Sequence, residues 1–383
     1  MATKLEKDDE YTILDSKLGK TGKRMSERTN IFEDQKIPKL EDVGFGYQAE
    51  VVGAHAAGAR VAKTCVPASR GEVINASPEK STFTLINTFD ARANIGDHDS
   101  IQDFVVLNQN GLDVFVVWYS SEECVRSLWH DAKENIDKIS ECKLNKEQIR
   151  GLFRITKISN TQVAVACTFI RNKNWLIKPT LNIINVGPEL SLQKTVPLKC
   201  CECTVCITSL SSKTGTRLVI GHKGLMVTDL HGNMIKLVTV DKTGESLVSE
   251  PQYLATTPSG HILVSYNTDE TFYSISHRED KVSCISLERK VLWSYPIKNA
   301  RGVTCDAYSN VYVAIGETGR PLNQKVVMLS PEGKFVKYIL KSDKVDYCPQ
   351  ALYYDTSKAR LYVSDKHLIR IYEHRFSSND LHW

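Results

Sequence analysis

The sequence contains no hydrophobic run long enough to cross a bilayer, although 42% of its 383 residues are hydrophobic. The first ten residues, from Met1 to Glu10, are mostly polar or charged, so they lack the charged-then-apolar pattern of a secretion signal. These two absences favour a cytoplasmic protein and predict that it has no membrane partner.

A strong charge of one sign is also missing. The chain has 49 Lys and Arg against 45 Asp and Glu, a formal net charge of +4, which is too weak to indicate binding to nucleic acid or membranes by charge alone. The G-x-S-x-G elbow of hydrolases and the H-E-x-x-H pair of zinc peptidases do not occur. The sequence therefore predicts a protein that is not an enzyme and needs no cofactor.

Well-spaced zinc ligands are lacking too, despite 11 cysteines. Four cysteines crowd into one short segment: Cys200, Cys201, Cys203 and Cys206. A structural zinc site usually combines two C-x-x-C pairs a dozen or more residues apart, and alternate side chains of a strand point to opposite faces. We expect reduced thiols that pack between strands and no metal site, with metal or redox chemistry as the alternative.

Residues 1–80 have few aromatic residues and alternate Lys or Arg with Asp or Glu. Too little apolar surface is available there to offset the entropy of ordering, so we predict a disordered tail at 1–80 and one folded domain at 81–383. Gly19–Thr21 is similar to the end of a phosphate-binding loop, but Leu14 stands where that motif needs a glycine. A solvated basic turn is the favoured interpretation of this segment.

What the sequence does contain is a repeated run of strand-forming residues. In residues 300–340, four such runs are separated by turns: 302–306, 311–315, 325–329 and 335–340. β-Branched and aromatic residues with turn residues between them are typical of an antiparallel meander. A single sheet of this kind cannot bury its own faces, so the unit must recur along the chain.

The second strand of this meander recurs six times, at 113–118, 162–166, 217–220, 261–265, 311–315 and 360–364. The first residues of these runs are separated by 49, 55, 44, 50 and 49 positions. A period of about 45 to 50 residues with four strands is typical of a propeller blade. The sequence therefore predicts an all-β fold, a six-bladed β-propeller of four-stranded antiparallel blades.

The last predicted blade lacks a fourth strand, because the chain ends soon after the run at 368–372. Residues 82–89 form a single strand that precedes the first predicted blade. We infer that this strand completes the sixth blade, joins the two ends of the ring and removes an open sheet edge.

The fifth blade is similar to an NHL-type repeat, in which a GVxxDxxGNVYV segment precedes a short strand that ends in SPEGK. The similarity rests on 302–306, 310–313 and 326–333, with Tyr308–Ser309 in place of the usual turn glycine. Over residues 81–383, the chain resembles the C-terminal propeller of tripartite-motif-like proteins. This resemblance implies the propeller fold and a binding role, and some propellers of that family bind RNA.

The same family carries a zinc-binding RING, a B-box and a coiled coil before its propeller. Residues 1–80 contain a single cysteine, Cys65, so we expect the ubiquitin-ligase module to be absent from this chain. The resemblance therefore implies a fold and a binding role, and nothing about ligase activity.

Three carboxylates are predicted on innermost strands: Asp103, Asp306 and Asp355. A propeller enzyme often holds a metal ion in its central channel with such groups. These three are scattered and lie close to turns, where aspartate commonly caps the backbone. We favour the turn interpretation and keep a metal-dependent hydrolase or lyase as the second alternative.

Long connections between the second and third strands are predicted in blades two, four and five, at 168–178, 267–281 and 316–324. Connections that are equivalent in the repeat lie on one face of the disc, where long loops commonly form the working surface. The candidate binding residues on this face are Arg171, Lys173, Trp175, Lys178, Phe272, Tyr273, His277, Arg278 and Arg320.

Aromatic and arginine residues are enriched at protein interfaces and also stack on single-stranded nucleic acid. We therefore predict a non-enzymatic interaction scaffold that binds a protein partner through this loop face. RNA binding through a basic propeller face is the alternative. Loops that merely tolerate insertions would have the same composition, and the sequence leaves the partner and the oligomeric state open.

Overall fold

The structure is a computed structural model that describes residues 81–91, 100–119, 124–131, 136–144, 151–170, 177–198, 206–212, 215–221, 224–238, 240, 247–248, 251–266, 280–316, 325–341 and 349–375. All of them belong to one compact unit. The tail predicted to be disordered at 1–80, with Gly19–Thr21 in it, lies outside the described residues.

The described strands form six four-stranded antiparallel sheets, each of which is one blade, so the predicted fold class is confirmed. Strand β1 (Thr82–Asp90) precedes the first complete blade. Blade 1 consists of β2 (Ile101–Gln109), β3 (Leu112–Tyr119), β4 (Cys124–Asp131) and β5 (Ile136–Lys143). Blade 2 consists of β6 (Gly151–Ser159), β7 (Gln162–Ile170), β8 (Ile177–Val186) and β9 (Leu190–Pro197). Blade 3 consists of β10 (Cys206–Ser212), β11 (Gly215–Gly221), β12 (Leu225–Thr228) and β13 (Met234–Val238).

The remaining three blades continue in chain order. Blade 4 consists of β14 (Pro251–Thr256), β15 (Ile262–Tyr266), β16 (Lys281–Ser286) and β17 (Lys290–Pro296). Blade 5 consists of β18 (Ala300–Cys305), β19 (Val311–Ile315), β20 (Lys325–Leu329) and β21 (Phe335–Lys341). Blade 6 consists of β22 (Pro349–Asp355), β23 (Arg360–Asp365) and β24 (Leu368–Arg375), with β1 as its outer strand.

The pairing of β1 with β24 closes the ring and confirms the strand predicted for this place. The two strands are antiparallel, with Thr82 opposite Arg375 and Asp90 opposite Leu368. On the neighbouring side, Lys337 of β21 donates hydrogen bonds to the carbonyl and the hydroxyl oxygen of Ser81. The first described strand is therefore held by blade 6 and by blade 5.

The core of the protein lies between the blades. The first strands contact one another in the order β2, β6, β10, β14, β18, β22 and back to β2. One buried apolar cluster fills the space between each pair of neighbouring blades. Because both faces of a blade are covered, second strands such as Ile262–Tyr266 are apolar at almost every position and fully buried.

Gly302 shows why a glycine stands in the first strand of blade 5. A Cβ atom at this position would lie 2.7 Å from the carbonyl oxygen of Gln350 and 2.8 Å from the Cα atom of Ala351. Since both atoms belong to the backbone of β22, only glycine lets β18 and β22 approach this closely.

Four turns between strands share one hydrogen-bond pattern over five residues. The carbonyl oxygen of the first residue accepts from the backbone N–H of the fourth residue, and the N–H of the first residue donates to the carbonyl oxygen of the fifth. The first residues of these turns are Asp229, Thr257, Asp306 and Ser330. Each first side chain also accepts from the backbone N–H of the fifth residue. The fourth residue adopts positive φ and is Gly232, Gly260, Ser309 or Gly333. Glycine takes this conformation at no steric cost, whereas Ser309 carries a Cβ atom into it.

Candidate functional site

The predicted binding face depends on loops whose ends the structure describes. In blades 2, 4 and 5, the loops join β7 to β8, β15 to β16 and β19 to β20, which are equivalent positions in the repeat. Eight of the nine predicted binding residues lie outside the described residues: Arg171, Lys173, Trp175, Phe272, Tyr273, His277, Arg278 and Arg320. Their contribution to a binding surface remains a prediction.

Lys178 is placed differently from the prediction. It lies in β8 with its Cα atom opposite that of Phe169, and the ladder also pairs Ile170 with Ile177. The connection in blade 2 therefore spans 171–176 instead of 168–178. The antiparallel ladder continues through Pro179, with Thr168 as its partner.

The first strands of the six blades surround a central channel that holds a cavity of about 640 Å³. Its lining includes Asp103, Arg154 and Cys206, near the beginnings of their strands, and extends to the turn at 257–260 after β14. The cavity therefore reaches the face that carries the turns between first and second strands. Because second strands run back across the disc, this face is opposite to the predicted binding face.

Asp103 joins blade 1 to blade 2 inside this channel. Its Oδ1 atom accepts from the N–H of Phe104 at 3.0 Å, and its Oδ2 atom accepts from the N–H of Ile155 at 2.9 Å. Burial raises the pKa of Asp103 to about 6, although the Arg154 guanidinium and the two backbone N–H groups act in the opposite direction. Asp103 is half-buried at the cavity wall.

Arg154 extends from blade 2 towards blade 4. Its Cζ atom lies 4.6 Å from the centre of the Tyr253 ring, a distance suited to a cation–π contact. The buried guanidinium also interacts electrostatically with Asp103. One buried cation thus links three blades at the level where the cavity begins. This cluster has no signature in the sequence, because Asp103 and Arg154 are 51 positions apart and Arg154 and Tyr253 are 99 positions apart.

The other two candidate carboxylates have structural roles. Asp306 accepts through Oδ1 from the N–H groups of Tyr308 and Asn310, both at 2.9 Å, and through Oδ2 from the Tyr312 hydroxyl at 2.7 Å. Asp355 accepts from the N–H of Ser357 at 2.9 Å. Burial raises the pKa of Asp306. The interpretation of these two residues as turn residues is confirmed.

The cysteines among the described residues are all buried thiols: Cys124, Cys142, Cys167, Cys206, Cys284 and Cys305. Cys206 donates to the carbonyl oxygen of Pro251, and Cys305 donates to that of Thr256, both at 3.3 Å. Thiols of blades 3 and 5 thus hold the two ends of β14. Burial raises the pKa of the Cys206 thiol and that of Cys305, the latter to about 12.

The packing role predicted for Cys206 is therefore confirmed, whereas Cys200, Cys201 and Cys203 lie outside the described residues. Within the part of the chain that the structure describes, no three His, Cys, Asp or Glu side chains are grouped as metal ligands. His231 lies in an exposed turn, with its Nδ1 atom 2.7 Å from Lys194 Nζ.

Each blade contributes at least one half-buried side chain to the cavity wall, among them Asp103, Lys157, Ser209, Ala255, Thr304 and Tyr353. Burial lowers the pKa of Lys157, an effect that Asp355 and Asp113 partly oppose and Lys358 reinforces. The cavity wall is therefore largely polar. Sequence reasoning missed this ring because it follows from how six first strands converge.

Apolar side chains are exposed on the outer strands of blades 3, 4 and 5, a surface that we call the outer rim. Its members are Met234, Ile235, Leu237, Val291, Leu292, Phe335 and Tyr338. Exposed apolar groups of this kind are common at protein interfaces. In blades 3 and 4 the exposed apolar residues occupy adjacent positions, as in Met234–Ile235 and Val291–Leu292, so both faces of these strands present apolar side chains.

None of the described residues forms a helix that is long and apolar enough to span a membrane.

Comparison with known proteins shows no family for this chain. No protein-family model matches the sequence, and no curated protein is similar to it. One similar solved structure is that of a protein of unknown function from Bacteroides caccae, with a TM-score of 0.44 and 10% identity, covering 65% of this chain and 84% of the other. The relationship to NHL repeats and tripartite-motif-like proteins remains a prediction from the residues of blade 5.

Proposed function

We propose that this propeller is a non-enzymatic interaction module that binds a protein partner through the loops between second and third strands. The observation that supports it is the ring itself, in which six blades hold equivalent loop ends at fixed positions. Propellers commonly use such loops for binding, and these loops contain aromatic and arginine residues in blades 2, 4 and 5.

The experiment compares partner capture by the wild-type chain and by two triple variants. The first variant changes Arg171, Arg278 and Arg320 to alanine, and the second changes Trp175, Phe272 and Tyr273 to alanine. For a protein partner, we expect the aromatic variant to lose the larger share of binding, at least tenfold in Kd, because buried aromatic anchors dominate protein interfaces. The measurement is affinity capture with quantitative mass spectrometry, followed by calorimetry on the purified pair.

The matched control is Tyr308→Ala, since Tyr308 is an exposed aromatic residue in a turn on the opposite face. We expect it to retain every partner. Thermal melts of all variants should agree with the wild type within a few degrees, as exposed side chains contribute little to stability. Retention of all partners by both triple variants, or their loss in Tyr308→Ala, would contradict the proposed face.

RNA binding is the second candidate, and the cationic content of the same loops supports it. Four of the eight candidate residues that remain in these loops are Arg or Lys: Arg171, Lys173, Arg278 and Arg320. If RNA is the ligand, affinity falls steeply with added salt, and the arginine variant shows a shallower salt dependence because phosphate contacts are lost. If a protein partner is held by aromatic anchors, the affinities of the wild type and of the arginine variant both depend only weakly on salt.

A metal-dependent hydrolase or lyase has the least support. Both oxygens of Asp306 and the Oδ1 atom of Asp355 are engaged by donors of their own turns, and Asp103 accepts from two backbone N–H groups. A catalytic role would require these carboxylates to give up contacts that stabilise the blades. The proposed location is the cytoplasm, where the buried thiols would remain reduced.

A further inference from the structure

The cavity in the central channel contains polar groups that the protein itself does not use. Among the described residues, no hydrogen-bond partner is present for the Lys157 ammonium or for the hydroxyls of Ser209, Thr304 and Tyr353. These four groups belong to blades 2, 3, 5 and 6, and all four side chains line one cavity. Each is half-buried, so each keeps some access to the cavity.

The charged neighbours of Lys157 are engaged elsewhere. Asp113 contacts Lys358 Nζ at 2.5 Å and accepts from the Tyr362 hydroxyl at 2.9 Å. Asp355 accepts from the N–H and the hydroxyl of Ser357. Both carboxylates act on Lys157 only at longer range, so its ammonium retains three hydrogen-bond donors and a positive charge.

The carboxylates of the cavity wall are committed as well. Asp103 accepts from two backbone N–H groups, and Asp306 accepts within its own turn. The unused capacity of the wall therefore includes the Lys157 ammonium and the hydroxyls of Ser209, Thr304 and Tyr353. A ligand that satisfies these groups must bring oxygen acceptors and a negative charge.

We propose that this cavity binds a small organic anion, whose carboxylate or phosphate oxygens contact Lys157 and whose other oxygens accept from Ser209, Thr304 and Tyr353. The volume of about 640 Å³ lies in the range of known small-molecule sites, about 300 to 1,000 Å³. The turn at 257–260 borders the cavity mouth, so the ligand enters on the face opposite to the binding loops. The two sites can therefore be occupied independently.

Burial supports this assignment. An ammonium that is partly removed from water is destabilised, and burial accordingly lowers the pKa of Lys157. An anion bound beside it offsets this cost, because an opposite charge at short range favours the protonated amine. A negative ligand beside Lys157 would therefore stabilise a charge that the protein alone leaves partly uncompensated.

The test is calorimetric titration of the purified chain, at low salt and pH 7, with glycerol 3-phosphate, citrate and uncharged glycerol. We expect at least one of the two anions to bind saturably at one molecule per chain, and glycerol not to bind. Lys157→Met should weaken anion binding at least tenfold, and Thr304→Val a few-fold. Lys290→Met is the matched control, because Lys290 is exposed on the outer strand of blade 4.

Circular dichroism melts verify that each variant folds. If Lys157→Met does not fold, the Thr304→Val and Ser209→Ala variants carry the same test. The proposal is overturned if neither anion binds at about 10 mM, if glycerol binds as well as the anions, or if Lys290→Met weakens binding as much as Lys157→Met does. Retention of all partners by both triple loop variants, with intact anion binding, would argue against the loop face alone, so the two proposals fail separately.

Discussion

At the scale of single residues, Asp103 and His374 make stability depend on pH in opposite directions. The pKa of Asp103 is raised from 3.8 to about 6 by burial, so the folded state binds the extra proton between these pH values. The contribution of Asp103 to stability therefore decreases as pH rises through this window. At about 1.4 kcal/mol per pKa unit, the change is at most about 3 kcal/mol.

We expect the stability difference between the wild type and Asp103→Asn to be largest near pH 4 and to shrink as the pH is raised to 7. The measurement is the urea midpoint of both proteins at several pH values. The change of their difference with pH tests the prediction. In the Asp103→Asn variant, the side-chain NH2 group faces one of the two backbone N–H groups, so a donor meets a donor. This loss lowers the stability of the variant equally at every pH. A difference that grows towards pH 7 would mean that Arg154 stabilises an ionised Asp103.

His374 gives stability the opposite dependence on pH. Its ring is stacked on Phe83 at 4.2 Å between centroids, its Nδ1 atom lies 2.8 Å from the Tyr354 hydroxyl, and burial lowers its pKa from 6.5 to about 4. The unfolded state binds the proton at a higher pH than the folded state does. The contribution of His374 to stability is therefore lost as the pH falls from 6.5 to 4. The difference between the wild type and His374→Gln should therefore be largest at pH 7.

At the scale of structural elements, the five-residue turns permit a reciprocal exchange. Ser309 has a φ of 65° at the position where Gly260 has a φ of 82°. Ser309→Gly should stabilise the protein by up to about 1 kcal/mol, because the strain at positive φ outweighs the extra freedom of glycine in the unfolded chain. Gly260→Ser should destabilise it by about 1 kcal/mol, and chemical denaturation measures both changes.

Sterics do not interfere with this comparison at Gly260. A Cβ atom there would meet only Leu210 Cδ1, at an ordinary 3.7 Å. Gly333 differs, since its Cβ atom would lie 2.3 Å from the Trp293 ring, whose Nε1–H donates to the Pro331 carbonyl at 2.8 Å. A Gly333→Ala variant should therefore be clearly less stable than Gly260→Ser. Equal stabilities of the two variants would show that the positive φ alone determines the loss of stability in each.

The same elements show what the sequence could predict. Second strands such as Ile262–Tyr266 are buried on both faces, so continuous β-branched runs identified them and their spacing identified the blades. Lys178 was misplaced because the point where β8 begins depends on its pairing with β7, which the residues of β8 alone do not show. The Asp103–Arg154–Tyr253 cluster could not be predicted, since it forms only when three distant strands meet around the channel.

At the scale of the whole molecule, ring closure by β1 should control stability. Removing residues 81–90 leaves β24 unpaired at the outer edge of blade 6 and removes Phe89 from the cluster between blades 6 and 1. We expect the melting temperature to fall by ten degrees or more, whereas removal of residues 1–75 should change it little. The measurement is a thermal melt of both truncations, and equal effects would disprove closure by this strand.

The closing strand also has a consequence for synthesis on the ribosome. β1 is made before every other described strand, yet its partner β24 is completed only at Arg375, which lies 285 positions after Asp90. At about 5 to 20 residues per second, β1 waits roughly 15 to 60 s for its partner. During this interval, Leu85 and Ile86 lie on a strand with no sheet to join. The nascent chain thus passes through a stage in which five blades can assemble while the ring stays open.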